Sequence, residues 1–160
     1  MATVYDVPAD KLITWVAKEL ESKPEFTAPA WARFVKTGVS RQRPPMKKDW
    51  WHVRTAAVLR TVYIQGPVGT NRLRVKYGGI KNMGYAPERQ KKGSGSVARK
   101  ILQQLEKAGF VKQDKKGTHK GRVVTPTGKK FLDKIATEII NQSKTQSGRS
   151  PAVPHSGVSA

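Results

Sequence analysis

The sequence contains no cysteine. That excludes disulfide scaffolds, thiol catalysis and cysteine-based zinc sites. Acidic residues are scarce, 11 against 31 lysines and arginines, so the formal net charge is +20. No apolar run approaches the roughly 20 residues that span a bilayer. The opening MATVYDVPADKL has no basic stretch leading into an apolar one, so no secretory leader is expected. The three histidines, His52, His119 and His155, never stand four residues apart. Asp49 and His52 share one helix face, which a local cap explains. Without a nucleophile–base–orienter set or metal-ligand spacing, no enzyme, no metal and no cofactor is expected. A nuclease would need clustered carboxylates for its metals, and none is evident. What is present is 160 residues, 37% of them hydrophobic, enough for one domain with a real core and a tail.

The positive charge is concentrated. Residues 1–32 carry three bases and five acids, whereas 33–54 carry seven bases and one acid, and 72–130 carry 17 bases and three acids. An inert solvated surface would intersperse the signs. Charge this large opposes compaction unless a polyanion neutralises it, and two basic stretches beside a nearly neutral start are the footprint of a nucleic-acid binder. A membrane surface would instead call for one basic amphipathic helix or a juxtamembrane cluster.

Periodicity places the elements. Residues 8–22 predict a helix, with Leu12, Ile13, Val16 and Leu20 at helical spacing, Asp10 in the first turn and Pro24 as the stop. A short helix is expected from Thr27–Pro29 to before Gly38, then a basic loop over 39–48 broken by Pro44-Pro45. Residues 50–65 form the central helix, with Asp49 as N-cap and Gly66-Pro67 as stop. It is apolar around most of its circumference and so should be surrounded. Arg54 and Arg60 on such a helix need partners. With few acids available, an external anion is favoured over a buried ion pair. A short helix over 70–77 precedes a long Gly-rich basic loop at 79–95. Ser94 or Ser96 caps a helix striped by Val97, Ala98, Ile101, Leu102 and Leu105, with Arg99, Lys100, Gln103, Gln104 and Lys107 outward. Phe110-Val111 and Val123-Val124 begin and end a hairpin with a basic tip. Thr125-Pro126 opens the last helix, striped by Phe131, Leu132, Ile135, Ala136, Ile139 and Ile140. The expected fold is mainly α with a small β-hairpin, a winged-helix-like single domain over 1–140, followed by a disordered tail at 141–160. The 96–108 helix takes the recognition place and 110–125 the wing.

Two motifs mislead. Gly93-Ser94-Gly95-Ser96-Val97-Ala98 matches a dinucleotide fingerprint, with Asp114 downstream, but Glu88–Lys92 before it is no buried strand. Asn141-Gln142-Ser143 matches a glycosylation sequon, which means nothing without a secretory signal. Among aromatics, Trp51 and Tyr77 read as core, while Trp50 and Tyr85 lie nearer the basic loops as stacking candidates.

The runs DWWHVRTAAVLRTVYIQGPVG, RLRVKYGG, GSGSVARKILQQLEKAGFV and GRVVTPTGKKFLDKIA, in this order, closely resemble the small-subunit ribosomal protein nineteen family of archaea and eukaryotes. VYDVPADKLI and FVKTGVSRQRPP look like its archaeal branch. The resemblance covers about residues 3–140. It implies a mostly helical fold around a central amphipathic helix, akin to a winged helix. It also implies a non-catalytic place on the head of the cytoplasmic small subunit, with ribosomal RNA and other head proteins as partners. A role in late subunit maturation is implied as well. No membrane, small-molecule substrate or self-association is expected. The family's sensitive positions correspond to Trp50, Arg54, Arg60, Arg99, Lys100, Gly121 and Arg122. The expected RNA contacts are Arg41, Arg43, Lys47, Lys48, Arg89, Lys91 and Lys92 on loops, Trp50, Arg54, Arg60, Arg99 and Lys100 on helices, and Lys120 and Arg122 at the wing. The competing reading is a winged-helix DNA-binding transcriptional regulator, which would need a dimer surface and base-reading side chains on the 96–108 helix.

Overall fold

The structure, a computed structural model, describes residues 2–147. Helix α1 (Ala9–Glu21) buries Leu12, Val16, Ala17 and Leu20 on one face, with Pro8 immediately before it. The expected short second helix is instead two 3₁₀ turns, Pro24–Phe26 and Ala30–Arg33. Proline at 24 and 29 denies the backbone donors that a longer α-helix over this stretch would need. Residues 34–49 then run without regular helix or strand.

Helix α2 (Trp50–Gln65) is the axis of the domain, burying Trp51, Thr55, Ala56, Val58, Leu59, Thr61 and Val62. It packs against α1 and against helix α4 (Gly95–Lys107). Its start differs from expectation. The Asp49 side chain makes no cap hydrogen bond; its carbonyl accepts from the His52 and Val53 amides at 3.0 and 3.2 Å. Trp51 sits edge-on to both Trp31 and Trp50, with ring centroids 5.8 and 5.4 Å away. Its indole Nε1 donates to Gln104 Oε1 at 3.0 Å, and Gln104 Nε2 donates to the Thr27 carbonyl at 2.8 Å. Gln104 therefore does not face outward as expected. It ties α2 and α4 to the 3₁₀ segment and satisfies the buried indole donor.

After α3 (Thr70–Lys76) the chain forms an antiparallel hairpin, β1 (Gly79–Met83) with β2 (Ala86–Lys91), where a loop was expected. Gly84 turns it with φ +78°, its amide donating to Asn82 Oδ1 at 2.7 Å. Ser94, of the two candidate serines, caps α4 by accepting from the Val97 amide. Gly109 ends α4 at φ +71°. Its amide bonds the Glu106 carbonyl while the Phe110 amide bonds that of Leu105, the paired pattern of a Schellman stop.

The wing is β3 (Val111–Lys116) paired with β4 (His119–Val124). Both strands reach further toward the tip than Phe110-Val111 and Val123-Val124 suggested. Val68 adds a one-residue third strand by exchanging two 3.0 Å backbone hydrogen bonds with Arg122. Thr125 Oγ1 accepts from the Gly128 amide, opening α5 (Pro126–Ser147). Phe26, Phe110 and Phe131 stack at 6.0 and 4.9 Å and join the first 3₁₀ turn, the wing's root and α5. Tyr63 donates to Asp133 Oδ1 at 3.1 Å, linking α2 to α5. The last helix runs seven residues past the boundary at 140, because polar residues continue a helix without needing a core. The rest of the expected tail, 148–160, lies outside the described residues. Together these elements form a winged-helix-like domain whose core surrounds α2.

Two outcomes follow from the wing's root. A Cβ on Gly121 would stand 2.8 Å from the Val68 nitrogen and 2.9 Å from the Pro67 carbonyl carbon. Gly121→Ala must therefore displace backbone, and thermal unfolding by circular dichroism should show a loss of about 1–3 kcal/mol. Arg122 Nε and Nη2 donate to Glu106 Oε2 at 3.2 and 3.1 Å, with both side chains largely shielded. A double-mutant cycle of Glu106→Gln with Arg122→Met should return a coupling of about 1–2 kcal/mol in stability, the size of a charge-assisted bond.

Candidate nucleic-acid interface

The first residues brought together lie where α2 emerges from the core. The turn of helix that buries Trp51 and Thr55 places Trp50 and Arg54 on its rim. The irregular segment after the 3₁₀ turns lies alongside. Trp50, Val53, Arg54, Tyr77, Arg41, Arg43, Met46 and Lys47 line an open groove of about 600 Å³, with Asp10 at its α1 side. The Arg54 guanidinium lies 4.1 Å from the centre of the Tyr77 ring. Burial lowers its affinity for a proton, Arg41 adds to that, and Tyr77 opposes it. Arginine stays charged regardless. Among the described residues, ion pairs join Lys112 to Asp114, Arg122 to Glu106 and Lys134 to Glu138. None involves a groove cation or Asp10. A half-buried cation stacked on an aromatic ring, with three more cations around it and no ion pair, is a ready anion site.

Next to the groove, Lys47, Lys48, Arg33, Trp50 and Met46 line a second hollow. Arg99 and Lys100 border a third with Trp31, Lys36, Ser94 and Ser96. Lys100 and Trp31 continue into a fourth with Lys107. Of the fourteen expected contacts, eight fall along these adjacent hollows: Arg41, Arg43, Lys47, Lys48, Trp50, Arg54, Arg99 and Lys100. Arg89, Lys91 and Lys92 lie on or beside the β1–β2 hairpin, and Lys120 is exposed on β4.

Two placements differ from expectation. Arg122 is not offered outward; Glu106 holds its guanidinium, because the β4–Val68 bridge turns that side chain toward α4. Arg60 is apart from the groove. Its Nε is buried without a hydrogen-bond partner, and the nearby Lys76 donates to Thr61 Oγ1 at 2.9 Å. Burial first, and Arg60 second, hold Lys76 below the usual lysine range. Arg60 and Lys76 thus form a second, smaller cationic spot.

Several interface residues escaped the sequence reading. Arg33 and Lys36 line hollows two and three. Phe34 is 82% exposed between them, and Met46 is 99% exposed on the groove rim. Their signal was present in WARFVK, where aromatics alternate with cations, but tryptophan and phenylalanine there read equally well as core. Tyr77, read as core and packed against it, is also the platform under Arg54.

Among the described residues, no group of three or more histidine, aspartate or glutamate side chains is placed to hold a metal ion. No helix among them is long and apolar enough to cross a membrane. The sequence profile of the family described as ribosomal protein S19e matches residues 3–142. The small ribosomal subunit protein eS19 of Aeropyrum pernix is 47% identical over 144 residues, covering 89% of this chain and 92% of that protein. The protein of the same name from Haloarcula marismortui is 42% identical over 146 residues, covering 89% and 94%. The one from Emericella nidulans, a eukaryote, is 41% identical over 143 residues, covering 89% and 95%. The chain therefore belongs to the ribosomal protein S19e family, whose members are structural, non-enzymatic proteins.

Proposed function

We propose that the protein is a structural part of the small ribosomal subunit that binds small-subunit ribosomal RNA and supports the subunit's maturation. The observation that carries this reading is Arg54, stacked on Tyr77 in a groove with Arg41, Arg43 and Lys47, none of which is ion-paired to a carboxylate among the described residues. Phosphates crowded where RNA helices meet supply the missing negative charge, and binding releases their counterions. Structured RNA is recognised mainly through shape, 2′-hydroxyls and phosphates. Cations dispersed over an irregular loop, α2, α4 and a hairpin suit that better than a single groove-reading helix. The family assignment gives no support to a DNA-binding regulator, and Gln104 on α4, a potential base-reading side chain, is turned inward. Within the subunit the protein acts in the cytoplasm, as one copy among neighbouring head proteins.

The test is Arg54→Gln in the full chain. Its affinity for naked small-subunit RNA should fall about tenfold, with the salt slope smaller by about 0.7–0.9, the loss of one phosphate contact. Co-sedimentation with small subunits through a high-salt sucrose gradient should fall in parallel. The circular dichroism spectrum should be unchanged. Wholesale unfolding of the variant would assign Arg54 a purely internal role, and unchanged affinity would remove the groove from the interface.

A further inference from the structure

The β1–β2 hairpin has no place in a three-helix domain with one wing, and nothing in the core depends on its outer part. Every residue from Ile80 to Gln90 is exposed. A lone two-stranded hairpin is marginal in water, so this one is held at its root. A Cβ on Gly78 would meet the Lys91 carbonyl oxygen at 2.5 Å, and one on Gly93 would meet the Tyr77 carbonyl oxygen at 2.7 Å. The root is thus closed backbone to backbone, beside the ring that carries Arg54. The outer part spans roughly 17–20 Å at strand rise.

Register gives the arm two unlike faces. Lys81 stands directly opposite Arg89, and Gly79 opposite Lys91. Lys81, Arg89 and Lys91 therefore share one face, and among the described residues none of them is ion-paired. Like charges directly opposed across strands are destabilising. The other face pairs Ile80 with Gln90; beyond it the register shifts between Lys81 and Met83, so that Pro87 and Glu88, the arm's only acid, stand opposite Asn82. At the tip, Tyr85 is fully exposed and Met83 is 44% exposed. A cationic ribbon that repels itself and ends in a bare aromatic ring has the chemistry of a polyanion carrying stackable bases. The spacing of alternate strand residues such as Arg89 and Lys91, about 6.4–6.8 Å, is close to that of successive phosphates along a nucleic-acid strand.

We infer that this hairpin is an RNA-reading arm. Its Lys81–Arg89–Lys91 face follows one phosphate backbone, and Tyr85 stacks on an unpaired base at a helix end or junction. The narrow major groove of regular A-form RNA does not admit side chains, so the arm's target is irregular RNA. This inference rests on the RNA-binding reading above and names the kind of RNA element engaged.

The experiment compares the full-length protein with Lys81→Gln/Arg89→Gln, Tyr85→Ala and Tyr85→Phe, using naked small-subunit ribosomal RNA transcribed in vitro as the probe. The double variant should bind at least tenfold more weakly, with a salt slope smaller by about 1.4–1.8, the loss of two phosphate contacts. Its melting temperature should stay the same or rise, since a like-charge pair is removed. Tyr85→Ala should weaken binding roughly tenfold without altering the salt slope, and Tyr85→Phe should restore it. Wild-type affinity and slope in the double variant would overturn the arm inference while leaving the groove reading intact. Failure of the wild-type chain to bind the RNA would sink both. Normal binding to naked RNA with impaired incorporation into subunits would assign the arm to a protein neighbour and overturn the inference as well.

Discussion

Arg54 sets the terms for the rest of the molecule. It stands on the helix that organises the core, next to buried Thr55 and one turn from buried Val58, and its guanidinium rests on Tyr77. A cation–π contact contributes about 0.5–2 kcal/mol, whereas removing a charge from water costs considerably more when no anion replaces the solvent. The helix cannot turn Arg54 away without exposing the Trp51 stripe. The protein therefore carries a charge that its own fold positions and does not neutralise. The irregular segment over 39–48 adds Arg41, Arg43 and Lys47 to the same groove, concentrating positive potential where an RNA backbone can answer it.

The few acids show where neutralisation was built in. Glu106 holds Arg122, and Asp114 pairs with Lys112, so two of the wing's cations are balanced from within the fold. A winged helix that reads DNA uses its third helix as a probe in one groove. Here the wing's root is clamped to Val68 through Gly121, and α4 shares its hollows with Trp31 and the 3₁₀ turns. The frame is kept, and the contact surface proposed for RNA lies elsewhere, along the N-terminal half of α2, the loop before it, the outer side of α4 and the extra hairpin.

What the sequence disclosed follows from what each element must bury. Helices α2 and α4 were legible nearly to the residue, since their apolar stripes and glycine stops act locally. The wing was legible in outline because Val111 and Val124 are core residues. The β1–β2 hairpin was not legible, since exposure on both faces removes the alternation by which a strand is recognised. The 3₁₀ turns depend on where Phe26 and Ala32 find the core, a tertiary fact. In the interface, cationic loops announced themselves through charge alone. Which cation has a partner did not, because the Arg122–Glu106 pair joins residues 16 apart whose meeting depends on strand register. Tyr77 does pack against the core, but its second role under Arg54 escaped for the related reason that an aromatic beneath a guanidinium is indistinguishable in sequence from one that only packs.

The same logic accounts for the density of backbone contacts around the interface. Gly78, Gly93 and Gly121 each bring main chain against main chain, fixing the hairpin and the wing relative to α2 without side chains that could relax. Flexible lysines on a flexible frame would gain phosphate contacts only by ordering themselves, at an entropic cost of up to about 2 kcal/mol per long side chain. A frame closed by backbone removes part of that cost beforehand and leaves only the side-chain tips to adjust. On the proposed role of fixing the relative orientation of RNA helices, such rigidity would be functional in itself. A yielding scaffold would bind the same phosphates but transmit no geometry between them.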